Sequence, residues 1–201
     1  MSRRMSLDAR REQAVEAAMV EFAHGGYEST STWTIAERVG VSQPYIFRLF
    51  PNKHALFLAA ADRCFDEIEN VLRGAADGRH GKDALAAMTE AYGRLAVEAP
   101  VLLQMQLKVQ AVAVRDAEVG RLGHVRWARL WRLVGELTGE DPAGIAGFLS
   151  AGLLVNVAAA FGVPHAGGDD LPRSMAEWAE NLRGVETLGD HPGDRADDRT
   201  G

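Results

Sequence analysis

Residues 28–56 read ESTSTWTIAERVGVSQPYIFRLFPNKHAL, a pattern that predicts two short helices joined by a tight turn and a third helix starting at Asn52. We expect Ser31 to cap the first short helix and Ser42 the second, because a serine hydroxyl can accept a bond from an unpaired backbone N–H. Gly40 lies at the turn, where glycine adopts a left-handed conformation at little cost. Two short helices joined in this way are typical of a helix-turn-helix that reads DNA.

Helical spacing of apolar residues continues on both sides of this segment and predicts an all-α fold. No stretch alternates with period two for long enough to indicate a strand. The predicted helices cover residues 8–24, 32–39, 43–50, 52–73, 83–98, 100–114, 116–138, 141–161 and 171–184. Residues 1–52 are expected to form a helix-turn-helix DNA-binding domain, linked by helix four (about 52–73) to a helical domain at 74–187. The start of the chain (1–7) and the polar segment 188–201 are predicted to be disordered, and 74–81 to be a linker.

The charge distribution favours contact with DNA at the N-terminal end. The chain carries a net charge of −6, but residues 1–60 contain 7 Lys+Arg against 6 Asp+Glu. Arg3, Arg4, Arg10 and Arg11 are consistent with attraction to phosphates. They are equally consistent with a solvated terminus, and the sequence leaves both interpretations open.

Cysteine content and hydropathy indicate a cytoplasmic protein. Cys64 is the only cysteine, which excludes an intrachain disulfide and suits a reducing compartment. It lies on an apolar helical face and is predicted to be a buried, unreactive thiol. No secretory signal pattern is present at the N-terminus. Residues 145–163 lack charge, yet they are rich in Ala and Gly and have no flanking Lys or Arg, so we interpret them as buried by a second subunit and not by a membrane.

The first seventy residues resemble the DNA-binding domain of the TetR family of bacterial transcriptional regulators. The order and spacing of the matching residues agree over about 45 positions, whereas the later helices are similar only in number, length and order. The residues that carry the resemblance are Phe22, Gly26, Tyr27, Thr30, Ser31, Ile35, Ala36, Gly40, Val41, Ser42, Phe47, Phe50, Lys53 and Leu56.

Three positions depart from that family's pattern. Phe47 stands where a tyrosine is usual and Leu49 where a histidine is usual, and those polar groups commonly hold DNA phosphates. Trp33 occupies a position that is more often polar, and it is compatible with packing under the N-terminal arm or against a deoxyribose. We therefore expect weaker backbone contacts from the third helix, or a shift of that work to neighbouring residues.

The front of the third helix is expected to enter the major groove, because Ile46 and Phe50 face the core and leave the other side chains outward. Gln43, Pro44, Tyr45 and Arg48 are candidates for base or phosphate contacts, and a solvated helix face is the alternative. Phosphate contacts are expected from the ends of the neighbouring helices. The candidate DNA-binding residues are Thr30, Ser31, Gln43, Pro44, Tyr45, Phe47, Arg48 and Lys53.

One such helix reads few bases, so a homodimer on a near-palindromic operator is expected. The candidate dimer surface is the apolar helix at 141–161 together with 171–184, and the resemblance implies a four-helix bundle there. Small residues at Gly147, Ala151 and Gly152, with Val155, would permit close helix contact. A core helix of a monomer is the alternative.

The middle helices are expected to hold a small-molecule inducer, and binding is expected to release DNA as the resemblance implies. Methionine and aromatic side chains suit such a pocket, although ordinary core packing explains each one equally well. The candidate ligand-binding residues are Met88, Tyr92, Met105, Gln106, Val109, Trp127, Trp131 and Phe148.

Other functional classes receive little support from the sequence. It contains no nucleophile elbow, phosphate-binding glycine loop or cysteine pair, so no enzyme is predicted and no catalytic residue is assigned. The six histidines lack ligand-like spacing, so neither a metal nor a cofactor is expected. The alternative function is a helical protein-interaction module with a degenerate helix-turn-helix, which Phe47 and Leu49 support.

Overall fold

The structure, a computed structural model, describes residues 6–163, which form eight α-helices and no strand. The predicted helix at 171–184, the tail at 188–201, Arg3 and Arg4 lie outside the described residues. The helices are α1 (Leu7–Ser29), α2 (Thr32–Val39), α3 (Gln43–Leu49), α4 (Lys53–Ala76), α5 (Gly81–Glu98), α6 (Pro100–Ala113), α7 (Ala117–Thr138) and α8 (Pro142–Ala160).

The first three helices pack around an aromatic core that α4 completes. Phe22 on α1 meets Phe57 on α4 edge to face at 5.0 Å between ring centroids, and Tyr27 meets the same ring at 5.0 Å. Ile35 and Ile46 bring the inner faces of α2 and α3 onto this core, and both are fully buried. Burial of each such side chain stabilises the fold by about 1.5–3 kcal/mol.

The end of α1 differs from its prediction. The helix was expected to stop at His24, but it continues to Ser29 across a break at Gly26, whose φ is +74°. Glycine alone adopts this left-handed value without steric strain, so the chain bends and then completes another turn. A side chain at Gly25 would meet the Thr30 hydroxyl at 2.8 Å, so the two glycines together permit the bend.

Side-chain caps begin several helices, among them the predicted cap Ser31. The side chains of Ser31, Asn52, Asp116 and Asp141 each accept a bond from a backbone N–H of the first turn that follows. The predicted side-chain cap at Ser42 is wrong. Pro44 has no N–H to offer, and the Tyr45 N–H bonds to the Ser42 carbonyl oxygen at 2.9 Å.

Helix α4 belongs to both halves of the chain. It packs against α1 and also against α5, α6 and α7. The predicted linker at 74–81 is too long, because α4 continues to Ala76 and α5 begins at Gly81. The buried thiol of Cys64 lies 3.4 Å from the Leu102 carbonyl of α6, which confirms the predicted burial of this cysteine.

Two sets of polar contacts connect α4 to α7. Near the start of α4, His54 Nε2 lies 2.9 Å from Asp116 Oδ2 at the cap of α7. Further along, Arg126 of α7 reaches the carboxylates of Asp62, Asp66 and Glu69. The guanidinium side chain is 8% exposed and the Glu69 side chain is 4% exposed, so this part of the network is shielded from water.

Candidate nucleic-acid interface and ligand cavity

The turn between α2 and α3 fixes the angle at which α3 leaves the core. Gly40 is left-handed, with φ +74° and ψ +37°, as predicted. The Val41 N–H then bonds to the Ala36 carbonyl at 3.0 Å, which closes the end of α2. Gln43, the first residue of α3, donates from Nε2 to the Thr32 hydroxyl at 2.8 Å. The two helices are therefore tied at both the turn and the front of α3.

The outer face of α3 gathers most of the predicted base-contacting side chains. Pro44, Phe47 and Arg48 are exposed, and Phe47 keeps 46% of its surface in solvent. Tyr45 is half-buried and lies 5.7 Å below the Arg48 guanidinium. This cation–π contact orients the arginine along the exposed face of the helix.

Two predicted phosphate contacts are occupied within the protein. The Thr30 side chain is buried and donates to the Glu21 carbonyl at 3.0 Å. Lys53 Nζ bonds to the carbonyl oxygens of Tyr27, Glu28 and Thr30, at 2.9, 3.3 and 3.3 Å. An ammonium group has three donors, so these carbonyls use them all. Thr30 and Lys53 therefore secure the end of α1 in this structure, and their contact with phosphates stays a prediction.

Ser31 is the remaining predicted phosphate ligand, and it lies at the surface. Its hydroxyl accepts from the Thr34 N–H at 3.1 Å and is 2.8 Å from the Thr34 hydroxyl. The pair sits at the N-terminus of α2, where unpaired N–H groups favour an anion.

Arg11 has a structural role that the sequence did not reveal. Its Nη1 donates to the Leu49 carbonyl at 2.6 Å, and its guanidinium lies 4.1 Å above the Phe50 ring. These contacts join α1 to the end of α3 across 38 positions of sequence. No local pattern indicates such a pairing. Leu49 itself is half-buried against the core, where the side chain of a histidine would lack this packing.

A cavity of about 520 Å³ lies between α6 and α7, with α4 behind it. Four predicted ligand residues line it: Gln106, Val109, Trp127 and Trp131. The remaining lining residues are Phe65, Gln110, Ala113, Gly120, Gly123, His124 and Ala128. The sequence carried a signal for them, because residues 120, 123, 124, 127 and 131 recur at helical spacing and form one stripe of α7.

The other four predicted ligand residues lie deeper in the bundle. Tyr92 and Phe148 line a cleft of about 20 Å³ that shares Gln106 and Trp127 with the larger cavity. Met88 and Met105 are fully buried and line neither space. For these two methionines the core-packing alternative applies, because neighbouring helices enclose them completely.

A buried polar triad joins α5, α6 and α8 beside the cavity. The Tyr92 hydroxyl lies 2.8 Å from Gln106 Oε1 and 2.9 Å from Asn156 Oδ1. Asn156 Nδ2 donates to Gln106 Oε1 at 2.5 Å. Burial raises the pKa of the Tyr92 phenol, so the group stays neutral and keeps its proton for the triad.

Helix α8 exposes one apolar face and buries the other. Leu153, Leu154, Val157 and Phe161 keep between 38% and 71% of their surface in solvent. The proposed small-residue contacts need revision, because Val155 is buried and Gly152 lies against the Tyr92 ring. A Cβ atom built at Gly147 would meet no atom within 4 Å, so this position leaves room for a helix of a second subunit.

Residues 6–163 contain no group of three or more His, Cys, Asp or Glu side chains placed to hold a metal ion. Of the same residues, α8 alone is long and apolar enough to cross a membrane, and a core or interface helix passes that test equally well.

Comparison with known proteins gives consistent matches. A family model described as bacterial regulatory proteins, tetR family, matches residues 14–60. The transcriptional repressor KstR of Mycolicibacterium smegmatis is 30% identical over 155 residues, which covers 75% of this chain and 76% of KstR. The transcriptional activator FasR of the same organism is 34% identical over 93 residues. That alignment covers 44% of this chain and less than half, 41%, of FasR.

Solved structures agree on the fold. A transcriptional regulator from Saccharomonospora viridis, in complex with choline, superposes with a TM-score of 0.67. The match covers 88% of this chain and 96% of that one at 14% identity, a level that supports the shared fold alone.

Proposed function

The chain belongs to the tetR family of bacterial regulatory proteins, and from that premise we propose that it is a dimeric repressor that releases its operator when a small molecule fills the cavity. The observation that carries this proposal is the pairing of an outward-facing α3 with a 520 Å³ cavity on the same scaffold. Helix α4 packs against α1 of the DNA-binding unit and contributes Phe65 to the cavity, so it connects a bound ligand to that unit.

DNA recognition is assigned to the exposed face of α3. Gln43 lies at the front of the helix, where its amide can bond to base edges, and Pro44 beside it can contact a thymine methyl group. Arg48, one turn further on, can bind a phosphate or a guanine. Tyr45 and Phe47 supply apolar contacts around it. Ser31 and the start of α2 contribute phosphate contacts.

The exposed face of α8 is the proposed dimer surface. Leu154, Val157 and Phe161 recur at helical spacing, and Ser150 and Gly147 extend the same row toward the start of the helix. Isolated apolar residues at a surface are ordinary, but a continuous row along one helix marks an interface. The predicted contribution of residues 171–184 remains part of this proposal.

Ligand response is assigned to the cavity between α6 and α7. A ligand must bind the DNA-incompetent state more tightly to shift the equilibrium toward release. The Saccharomonospora viridis regulator shows a small molecule bound to the same fold, which supports this assignment. We assign no catalytic activity, and we place the protein in the cytoplasm, where its operator would be.

A second candidate function is a helical protein-interaction module. Trp33 and Phe47 keep 56% and 46% of their surfaces exposed on the helix-turn-helix, which is unusual for large apolar side chains. A partner protein could cover them. DNA is the better-supported partner, because Arg48 and the start of α2 suit phosphates on the same side.

Sequencing of host DNA fragments captured by the purified protein at physiological salt tests the proposal. Enrichment of a short inverted repeat is the expected result, with loss of that enrichment for the double variant Gln43→Ala, Arg48→Ala. Recovery of random fragments by both proteins would contradict operator recognition and favour the interaction module.

A further inference from the structure

The walls of the cavity between α6 and α7 offer flat aromatic surface. Phe65 comes from α4, and Trp127 and Trp131 stand one turn apart on α7. The four aromatic pairs found within residues 6–163 all lie near the N-terminal core, so these three rings stack on no other ring of the described part. A ring in the cavity could therefore supply the aromatic partner that they lack, and aromatic rings prefer offset or edge contacts with another ring.

Two glycines keep this space wide. A methyl group built at Gly123 would meet no atom within 4 Å, and one at Gly120 would meet only the Ala113 carbonyl at 3.5 Å. Glycine inside a helix lowers its stability relative to alanine. Gly120 and Gly123 both lie on the stripe of α7 that faces the cavity, and they leave room that a ligand can fill.

The lining residues carry no carboxylate, ammonium or guanidinium group, and the one titratable side chain among them, His124, is exposed at the surface. The nearest buried cation, Arg126, is directed at α4 and paired with carboxylates there. A charged group held against the apolar part of this lining would lose its hydration, and that loss is unfavourable. The cavity therefore selects against ions.

Gln106 gives the cavity one oriented polar group. Its Oε1 accepts from Asn156 Nδ2 and shares the single proton of the Tyr92 hydroxyl with Asn156 Oδ1. Its Nε2 bonds to no other residue of the described chain. This atom is also not fully buried, so it can be reached by a ligand. The amide N–H groups are thus available to an acceptor atom that enters from the cavity.

We propose that this cavity takes an uncharged, planar and largely apolar ligand with one acceptor oxygen that binds the side-chain amide of Gln106. The proposal rests on the ligand-responsive function given above and names the chemistry of its effector. Gln106 also connects α5 and α8 through the triad. An oxygen bound at its amide would therefore act on α8, the helix that carries the proposed dimer surface.

Calorimetric titration of the full-length protein with four naphthalene probes tests the ligand class. The probes are 2-acetylnaphthalene, its hydrocarbon analogue 2-isopropylnaphthalene, the anion 2-naphthoate and the cation trimethyl(2-naphthyl)ammonium. We expect the ketone to bind about tenfold more tightly than the hydrocarbon, the ratio that one hydrogen bond gives. Both ions should bind more weakly than the ketone by a similar factor or more.

A protein variant tests the location without disturbing the triad. Gly123 lies within helix α7, which a leucine can continue. The Gly123→Leu side chain would fill part of the open cavity and should abolish binding of the ketone. Gly74→Leu is the matched control, because a side chain there also meets nothing within 4 Å but lies far along α4 from the cavity. It should leave the affinity unchanged.

Equal affinity for ketone and hydrocarbon, tighter binding of either ion, no binding of the ketone, or binding unaffected by Gly123→Leu would each overturn the proposal. Operator release is measured separately with 2-acetylnaphthalene by fluorescence anisotropy. Binding of the ketone without release would contradict the repressor function and leave the ligand class standing.

Discussion

Arg126 on α7 and Glu69 on α4 form an ion pair at 3.4 Å, with both side chains nearly excluded from solvent. Arg129 reaches the other oxygen of Glu69 at 2.9 Å, while Asp62 and Asp66 bind Arg126 from the solvent side. The pair lies beside Trp127 and joins the helix that lines the cavity to the helix that completes the DNA-binding core.

Replacement of Arg126 by methionine should destabilise the protein by about 3 kcal/mol, because it leaves the Glu69 carboxylate buried with one partner fewer. Urea unfolding monitored by circular dichroism measures the change. Arg94→Met is the control, because Arg94 is exposed and its pair with Glu90 on the same helix should contribute less than about 0.5 kcal/mol. Equal effects of the two substitutions would contradict a special role for the buried pair.

The double variant Gln43→Ala, Arg48→Ala should weaken specific operator binding by about 1–3 kcal/mol for each bidentate base contact that it removes. Fluorescence anisotropy with the captured operator measures the loss. Arg132→Ala removes an exposed arginine from α7 and should leave the affinity unchanged. Unaltered affinity of the double variant would remove both residues from the recognition surface.

Leu154→Glu in α8 should convert the proposed dimer to a monomer, because the new carboxylates would face each other across an apolar contact. Sedimentation velocity reports the change in mass, and operator affinity should fall with it. Val114→Glu introduces the same charge at a valine that is 83% exposed near the end of α6. This control should remain dimeric, and a dimeric Leu154→Glu protein would place the interface elsewhere.

Cys64 should react with a thiol reagent at pH 8 only after unfolding. Burial raises the pKa of its thiol to about 12, so almost no thiolate exists in the folded state at that pH. Because it is the only cysteine of the chain, the colour released by Ellman's reagent reports one site. Rapid reaction of the folded protein would mean that α4 and α6 separate readily.

Asp116→Asn should lower the melting temperature at pH 7. Bonds from the Val119 and Glu118 N–H groups, with the nearby His54, hold the pKa of the Asp116 carboxyl below its ordinary value of 3.8. A lowered folded-state pKa stabilises the protein above the unfolded-state value, and this gain is lost as the pH falls through the folded-state pKa.

The difference in melting temperature between this variant and the parent should therefore shrink below about pH 4. A constant difference from pH 7 to pH 3 would show that the effect comes from helix capping by a neutral group. Asp141→Asn, which alters the cap of α8 without a histidine partner, provides the comparison.

The local elements could be predicted from sequence because their causes are local. Gly40 at the turn, Asn52 at the start of α4 and Asp116 at the start of α7 act within a few residues of themselves. The sequence predicts that α1 ends where the structure has only a break at Gly26. A left-handed glycine followed by another helical turn has the same sequence pattern as a helix terminus.

The site was less predictable because its contacts span long stretches of chain. Lys53 and Thr30 matched a pattern of phosphate ligands, yet carbonyl groups of the α1 end and of Glu21 occupy their donors. Met88 suited a ligand pocket as well as a core, and periodicity cannot distinguish the two. Gly120 and Gly123 offered the better signal, because small residues on an inward stripe leave space.

Helix α4 contains 24 residues, which at 1.5 Å each gives a rod about 36 Å long. The start of α4 lies against the end of α1, where Lys53 binds the Tyr27 carbonyl, and Phe65 near the middle of α4 lines the cavity. About 18 Å of helix separates these two points and can act as a lever. A tilt of about 10° at the cavity would move the start of α4 by about 3 Å, close to the rise of one base pair. In a dimer both levers move at once. A displacement of about 3 Å at the start of each α4 would then put the two reading helices of the proposed dimer out of phase with successive turns of the double helix.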